Sequence, residues 1–189
     1  KQQLPNGGWS WMKRMPASRH ITLQILKGMA QLIQLNAVSY NQTEKEMQMK
    51  ALRFLDQSIQ EDYEQLLKIK GKPTAIPSDD QVEYLFVRSF YRDIPELGEA
   101  REAIRYYTRQ AATNWKEYGL YSRAAIAWLM HQNGKKETTQ DIVAWFRKTA
   151  TDHAEKGMYW ANNRNTFASN RSAIETHCLI MALFQQTDP

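Results

Sequence analysis

The stretch Ser78-Asp79-Asp80-Gln81-Val82-Glu83 holds the residue types closest to chemistry in this 189-residue chain. Asp79, Asp80 and Glu83 follow an Asp-Asp-x-x-Glu pattern. On a helix, carboxylates about one turn apart share a face and can hold magnesium and a diphosphate, as in isoprenoid synthases. A simpler reading competes and is preferred. Ser78, after Pro77, is an N-cap, and Asp79 and Asp80 complement the positive end of the helix dipole. Diphosphate binding of that kind also needs a second acidic motif, and the sequence has none.

His20, His131, His153 and His177 are scattered. His177 is adjacent to Cys178, but consecutive helical residues point to different faces, so the pair makes no metal site. No metal and no other cofactor is therefore expected. Cys178 opens the apolar run Cys178-Leu179-Ile180-Met181-Ala182-Leu183-Phe184 without an activating base, which predicts a buried small hydrophobe. Glu175 beside Thr176 could serve a glycosidase, where two carboxylates face each other, but only distant acids could partner it. The expectation is a chain that is not an enzyme. The alternative is an α/α-toroid enzyme acting on carbohydrate or isoprenoid substrates, carried by Asp79, Asp80, Glu83 and Glu175.

The elements that would position these groups are helices. Seven segments show helical periodicity: Ala17 to Asn36, Thr43 to Lys70, Ser78 to Tyr91, Leu97 to Lys116, Leu120 to Gln132, Thr138 to Lys156 and Asn170 to Gln186. No strand is expected. The even-numbered segments are amphipathic. In the second, Met47, Ala51, Leu55, Ile59, Tyr63 and Leu66 oppose Glu46, Lys50, Arg53, Gln57, Gln60 and Glu64. The odd-numbered segments are apolar around most of their circumference, as in Ala124-Ala125-Ile126-Ala127-Trp128-Leu129-Met130. Such alternation is what two concentric helical layers require, because an inner helix is covered on several sides and an outer one only inward. It predicts an all-α fold, a partial α/α toroid over residues 1–189 or else an α/α solenoid of helical repeats, rather than a four-helix bundle.

Composition sets the outer bounds. With 42% hydrophobic residues the chain can bury a substantial core. Lys and Arg number 25 against 20 Asp and Glu, a net charge of +5, but the signs are interleaved, so no nucleic-acid partner is expected. One cysteine excludes an internal disulfide framework and leaves the redox compartment open. No apolar run reaches the ~20 residues that span a bilayer, so direct membrane insertion is not expected. The chain opens Lys1-Gln2-Gln3-Leu4-Pro5, without Met, which suggests a piece of a longer protein.

Two loops echo each other. Gly8-Trp9-Ser10-Trp11 precedes Ser18-Arg19-His20-Ile21-Thr22, and Gly157-Met158-Tyr159-Trp160 precedes Ser172-Ala173-Ile174-Glu175-Thr176. Each reads as glycine, aromatics, a polar loop, then an inner helix with Ser and Thr four apart. Gln3-Leu4-Pro5-Asn6-Gly7-Gly8-Trp9-Ser10-Trp11 resembles the Gln, Asn/Asp-Gly-Gly, aromatic loop of the terpenoid-cyclase and alpha-2-macroglobulin toroid superfamily. The helix opening Arg19-His20-Ile21-Thr22 and the Gly157-to-Trp160 segment are similar to those of bacterial alpha-2-macroglobulin-like proteins. The two patches cover about 50 residues.

That resemblance implies a thioester-type toroid domain of about six helical hairpins, of which this chain holds three and a half. It implies a structural and interaction role in a large protease-trapping protein of the periplasm, cell envelope or exterior. Its partners would be neighbouring domains of the parent chain and, through the full-length protein, proteases. Trapping members carry a Cys-x-Glu-Gln thioester upstream of the Gly-Gly-Trp loop. Here Cys178 is followed by Leu179-Ile180-Met181, so no thioester forms in this chain. In such a ring the loops before odd helices share one rim, making Trp9, Trp11, Lys13, Arg14, Tyr159, Trp160, Asn162, Asn163 and Arg164 the binding candidates, with Tyr118 and Tyr121 nearby. Trp9 and Trp160 are expected to plug the core ends through their indoles instead. An incomplete ring would also leave apolar edges exposed on its first and last inner helices.

Overall fold

A computed structural model describes residues 2–69, 75–155, 157–164 and 172–187. The fold is all-α, with two small two-stranded ribbons. The chain divides into two compact units, residues 1–110 and 111–189.

In the first unit, strand β1 (Trp9–Ser10) pairs antiparallel with β2 (Ala17–Ser18), and helices α1 (Arg19–Gln34), α2 (Gln42–Lys68) and α3 (Asp79–Arg88) follow. A short 3-10 turn over Gly98–Ala100 leads into α4 (Arg101–Thr113), which crosses the division between the units. α1 packs on both α2 and α3. The stripe of α2 is Ala51, Leu52, Leu55, Ile59 and Tyr63, all buried, while Lys50, Arg53, Gln57 and Glu64 face solvent. Local signals set the helix starts. Asn41 and Ser78 each form a capping box, with Glu44 and Gln81 respectively, satisfying amides that a helix start leaves without partners.

Every residue of α3 from Val82 to Arg88 is buried, including two charged ones. Burial of charge is tolerable only with a partner. Glu83 meets Lys27 of α1 at 2.9 Å, and Arg88 meets Asp56 of α2 at 3.1 Å. Asp56 also accepts from the Tyr84 hydroxyl at 2.7 Å and the Leu97 amide at 2.9 Å, so one carboxylate ties α2, α3 and the turn before α4 together.

In the second unit a 3-10 turn over Trp115–Glu117 precedes α5 (Leu120–Gln132), α6 (Lys136–Thr149), strands β3 (Thr151–His153) and β4 (Gly157–Tyr159), and α7 (Ala173–Thr187). α5 packs on both α6 and α7 and is buried from Ala124 to Met130. Its end is set by Gly134, whose φ of 69° lets the Lys135 amide reach back to the Met130 carbonyl at 2.9 Å. Arg123 stacks over the Trp145 ring at 4.1 Å from its centroid and also faces Trp115.

Three expectations are corrected. Strands exist. The sixth helix stops at Thr149 instead of running to 156, because Ala150 turns extended (ψ 148°) and the chain pairs as β3 with β4. Cys178 is exposed, not buried. The buried stripe of α7 is Thr176, Ile180 and Leu183, and position 178 lies off it. Ile174, 77% exposed, and Met181, 51% exposed, lie off it too, and on α1 Leu32 and Ile33 are likewise partly exposed.

Candidate functional site

The first loop is built by its own motif residues. Gln3 Nε2 donates to the Gly7 carbonyl at 2.7 Å and to the Met47 carbonyl of α2 at 2.9 Å, pinning the loop to that helix. Asn6 Oδ1 accepts from the Gly8 amide. Gly7 sits at φ 90°, and a Cβ there would stand 2.2 Å from the Lys50 carbonyl oxygen. A Cβ on Gly8 would meet Ala17 Cβ at 2.7 Å and the Phe54 ring. The loop thus lies directly on α2, and only two glycines fit.

Trp9 follows, 3% exposed, its amide donating to Thr22 Oγ1 at 2.9 Å. Thr22 in turn donates to the Ser18 carbonyl, while the Ser18 hydroxyl caps the Ile21 amide. The second loop repeats these parts in the other unit. Ser172 Oγ accepts from the Glu175 amide, and Thr176 Oγ1 donates to the Ser172 carbonyl at 3.1 Å. Trp160, 4% exposed, donates its indole N–H to the Phe146 carbonyl at 3.1 Å and stacks edge-on with that ring. Both tryptophans are therefore buried, Trp9 bonded through its backbone amide and Trp160 through its indole.

The remaining rim candidates sort by exposure. Trp11, 55% exposed, stands in solvent with Lys13 and Arg14. In the second unit Asn162 and Arg164 are exposed, Tyr159 is half-buried, and Asn163 donates to the Ala173 carbonyl at 2.8 Å. Tyr118 and Tyr121, grouped with the rim by sequence, are buried instead. The 9–14 and 159–164 patches belong to different units.

A separate feature lies in the first unit. A cavity of about 160 Å³ opens among α1, α2 and α3, lined by His20, Leu23, Leu55, Ser58, Asp80 and Tyr84 among others. At its mouth Arg19 holds Asp62 at 2.6 Å, and Asp62 also accepts from Gln81 at 3.0 Å. Burial foremost, then the Asp56 carboxylate, pushes the Tyr84 hydroxyl well above its usual range, so it is a neutral donor. Burial, and next Asp62, likewise pushes Tyr107 up to about 12.

His20, Asp80 and Glu83 each offer one ligand atom, and these atoms lie within 4.8 Å of one another. Among the described residues this is the group with metal-ligand chemistry so close together. Ser78 caps α3 as expected, and Asp79 and Asp80 occupy its first turn. Glu83 is fully buried and is held by Lys27 and Gln24, at 2.9 and 3.1 Å. Along its own helix His20 has no His or Cys neighbour one turn away. The meeting of His20 with residues 60 positions away comes from the packing of α1 on α3, for which no local signal exists. Glu175 stands on α7 in the second unit, and Asp79, Asp80 and Glu83 belong to the first. Comparison with protein-family models, curated proteins and solved structures finds no match for this chain.

Proposed function

We propose that this chain is a structural and interaction domain, a partial α/α toroid, of a large protease-trapping protein of the alpha-2-macroglobulin-like kind, and that it performs no bond chemistry itself. The observation that carries this reading is the work done by the residues behind the resemblance. Gln3, Gly7 and Gly8 seat a loop on α2, Asn6 closes that loop on the Gly8 amide, Trp9 ties it to Thr22 of α1, and Trp160 seats the second loop on α6. Their conservative geometry is architectural, and it holds Trp11, Lys13 and Arg14 outward, the aromatic and cationic mix suited to protein contact.

Helix packing supports the two-layer arrangement. In each unit an odd-numbered helix packs on the next odd one as well as on its even partner, α1 on α3 and α5 on α7. Partly exposed apolar side chains on α1 and α7 suit the first and last inner helices of an incomplete ring. The partners are then adjacent domains of the parent chain and an engulfed protease, at the cell envelope or outside it. The full-length parent, mixed with a broad-specificity protease, is expected to slow cleavage of large protein substrates, spare small peptide substrates and change its electrophoretic mobility. Unimpeded digestion of large substrates with unchanged mobility removes the reading.

The enzyme alternative keeps Asp79, Asp80, Glu83 and Glu175 as its acids. It is weakened by Glu83 being tied to Lys27. Turnover of an isoprenoid or carbohydrate substrate, lost in Asp80→Asn with melting unchanged, would restore it.

A further inference from the structure

We propose that the tip of the first ribbon, Trp11 to Pro16, is a docking site for an anionic lipid surface. The same outward side chains serve the interaction role, but lipid binding does not require protease trapping, so the two can fail separately.

Exposure is the first observation. The base of the ribbon is packed, with Trp9 buried and Gly8 lying against Ala17 and Phe54 of α2. Beyond that base Trp11, Met12, Lys13, Arg14, Met15 and Pro16 are six consecutive exposed residues. Trp11 is 55% exposed, Met12 61% and Met15 47%. Three large apolar side chains in water on one short turn mark a contact surface.

Charge is the second observation, and it is independent. The first acidic residue of the chain is Glu44. Ahead of it stand Lys1, Lys13, Arg14, Arg19 and Lys27, so the whole net charge of +5 is gathered before Glu44 and the signs cancel beyond it. Arg19 is paired with Asp62 and Glu61, and Lys27 with Glu83. Lys13 and Arg14 are exposed, between the two methionines. Lys50, whose carbonyl lies under Gly7, and Arg53, next to Phe54, are exposed on α2 and add the same sign. Glu46, one turn before Lys50, offsets part of it.

The combination selects the partner. A membrane interface supplies both halves at once: headgroup anions for Lys13 and Arg14, and the acyl boundary for Met12 and Met15, with the amphipathic Trp11 ring at the level between. A nucleic acid offers anions but no apolar bed for two methionines. A folded protein needs a pocket matched to the turn, whereas a fluid surface needs none. The contact is interfacial, since no helix among the described residues is long and apolar enough to cross a membrane.

The test mixes the chain with vesicles of phosphatidylcholine, alone or with roughly a third phosphatidylglycerol, and reads the bound fraction by sedimentation. Binding to the anionic vesicles only, weakened by salt, is expected. Lys13→Gln with Arg14→Gln should weaken it about twentyfold, at roughly fivefold per cation. Trp11→Ser with Met12→Ser and Met15→Ser should weaken it by a similar factor. All five side chains are exposed, so both variants should melt as the parent does. Lipids brominated in the upper acyl chain should dim the fluorescence of the parent, and Trp11→Phe should remove that dimming, because the other tryptophans are buried or half-buried. Full binding in the apolar variant would mark a site for any polyanion, and full binding in the cation variant a nonspecific apolar contact. Either overturns the proposal, as does a failure to bind anionic vesicles, which would return the tip to a protein partner.

Discussion

Gly7 and Asp56 show how single residues govern this fold by different physics. At Gly7 the constraint is steric, since φ is 90° and the Lys50 carbonyl occupies the space of a Cβ. Gly7→Ala combines left-handed strain with overpacking and should cost about 2–5 kcal/mol. Denaturant unfolding checks this, and a loss below 1 kcal/mol, on the order of one buried CH₂, would mean that the loop simply lifts off α2. At Asp56 the constraint is electrostatic. Removing a buried carboxylate that serves Arg88, Tyr84 and the Leu97 amide leaves an unpaired buried cation, so Asp56→Ala should cost about 3–5 kcal/mol. The pair Arg19–Asp62 is shorter, at 2.6 Å, yet side chains 46% and 28% exposed are screened by solvent. Arg19→Ala should therefore change stability by only about 0–1 kcal/mol, which reverses the order that distance alone suggests.

Among the elements, the ribbon of β3 and β4 depends most on one side chain. Trp160 follows β4 and locks it to α6 through the Phe146 carbonyl and ring. Trp160→Phe keeps most of the ring but leaves that carbonyl without its donor, and should cost about 1–3 kcal/mol. Trp160→Ala should cost about 3–5 kcal/mol. Equal losses in both variants would show that the hydrogen bond and not the packing carries the effect. How far these elements are legible in sequence follows from the range of the forces that set them. α5 runs from Leu120 to Gln132, the span its periodicity predicts, because Gly119 and Gly134 are local signals. The cap at Ser78 and the Ser/Thr spacing at 18 and 22 are local as well, and both occur as read. The ribbons are not legible, since strands of two and three residues have no periodicity and exist through their partner's register. Nor are the Lys27–Glu83 and Asp56–Arg88 pairs, or the approach of His20 to Asp80. Each joins residues more than 30 positions apart, and their pairing is decided by which helix faces meet. Apolarity around all of α7 likewise says nothing of which face is covered, and Cys178 proves to be off the buried stripe.

At the scale of the whole molecule, two properties of the solution behaviour follow. Tyr84 and Tyr107 are held neutral by burial first and by Asp56 and Asp62 next, with Tyr107 pushed up to about 12 from 10.0. A raised folded value means that the neutral phenol is favoured in the folded state. The corresponding stability is complete below pH 10.0 and drains away as pH rises from there through about 12. Melting should fall steeply over that window, and Tyr107→Phe should flatten the fall, whereas an unchanged alkaline limb in Tyr107→Phe would rule out this cause. The second property is association. Ile174 at 77% and Met181 at 51% exposure lie on one short helix, beside exposed Cys178. Contiguous exposed apolar surface is a contact surface in waiting, because burying it recovers roughly 25 cal/mol per Å². Leu32, Ile33 and Leu35 make a comparable stretch at the end of α1. The isolated chain should therefore self-associate with rising concentration, seen by light scattering after size exclusion, under reducing conditions so that Cys178 cannot cross-link. Ile174→Lys with Met181→Lys should return it to monomer while leaving the melting temperature near that of the parent, because neither side chain belongs to the buried stripe of Thr176, Ile180 and Leu183. A parent chain that stays monomeric at the highest attainable concentration would show that these side chains are covered within the chain itself, and the case for an incomplete helical ring would lose its support from exposed edges.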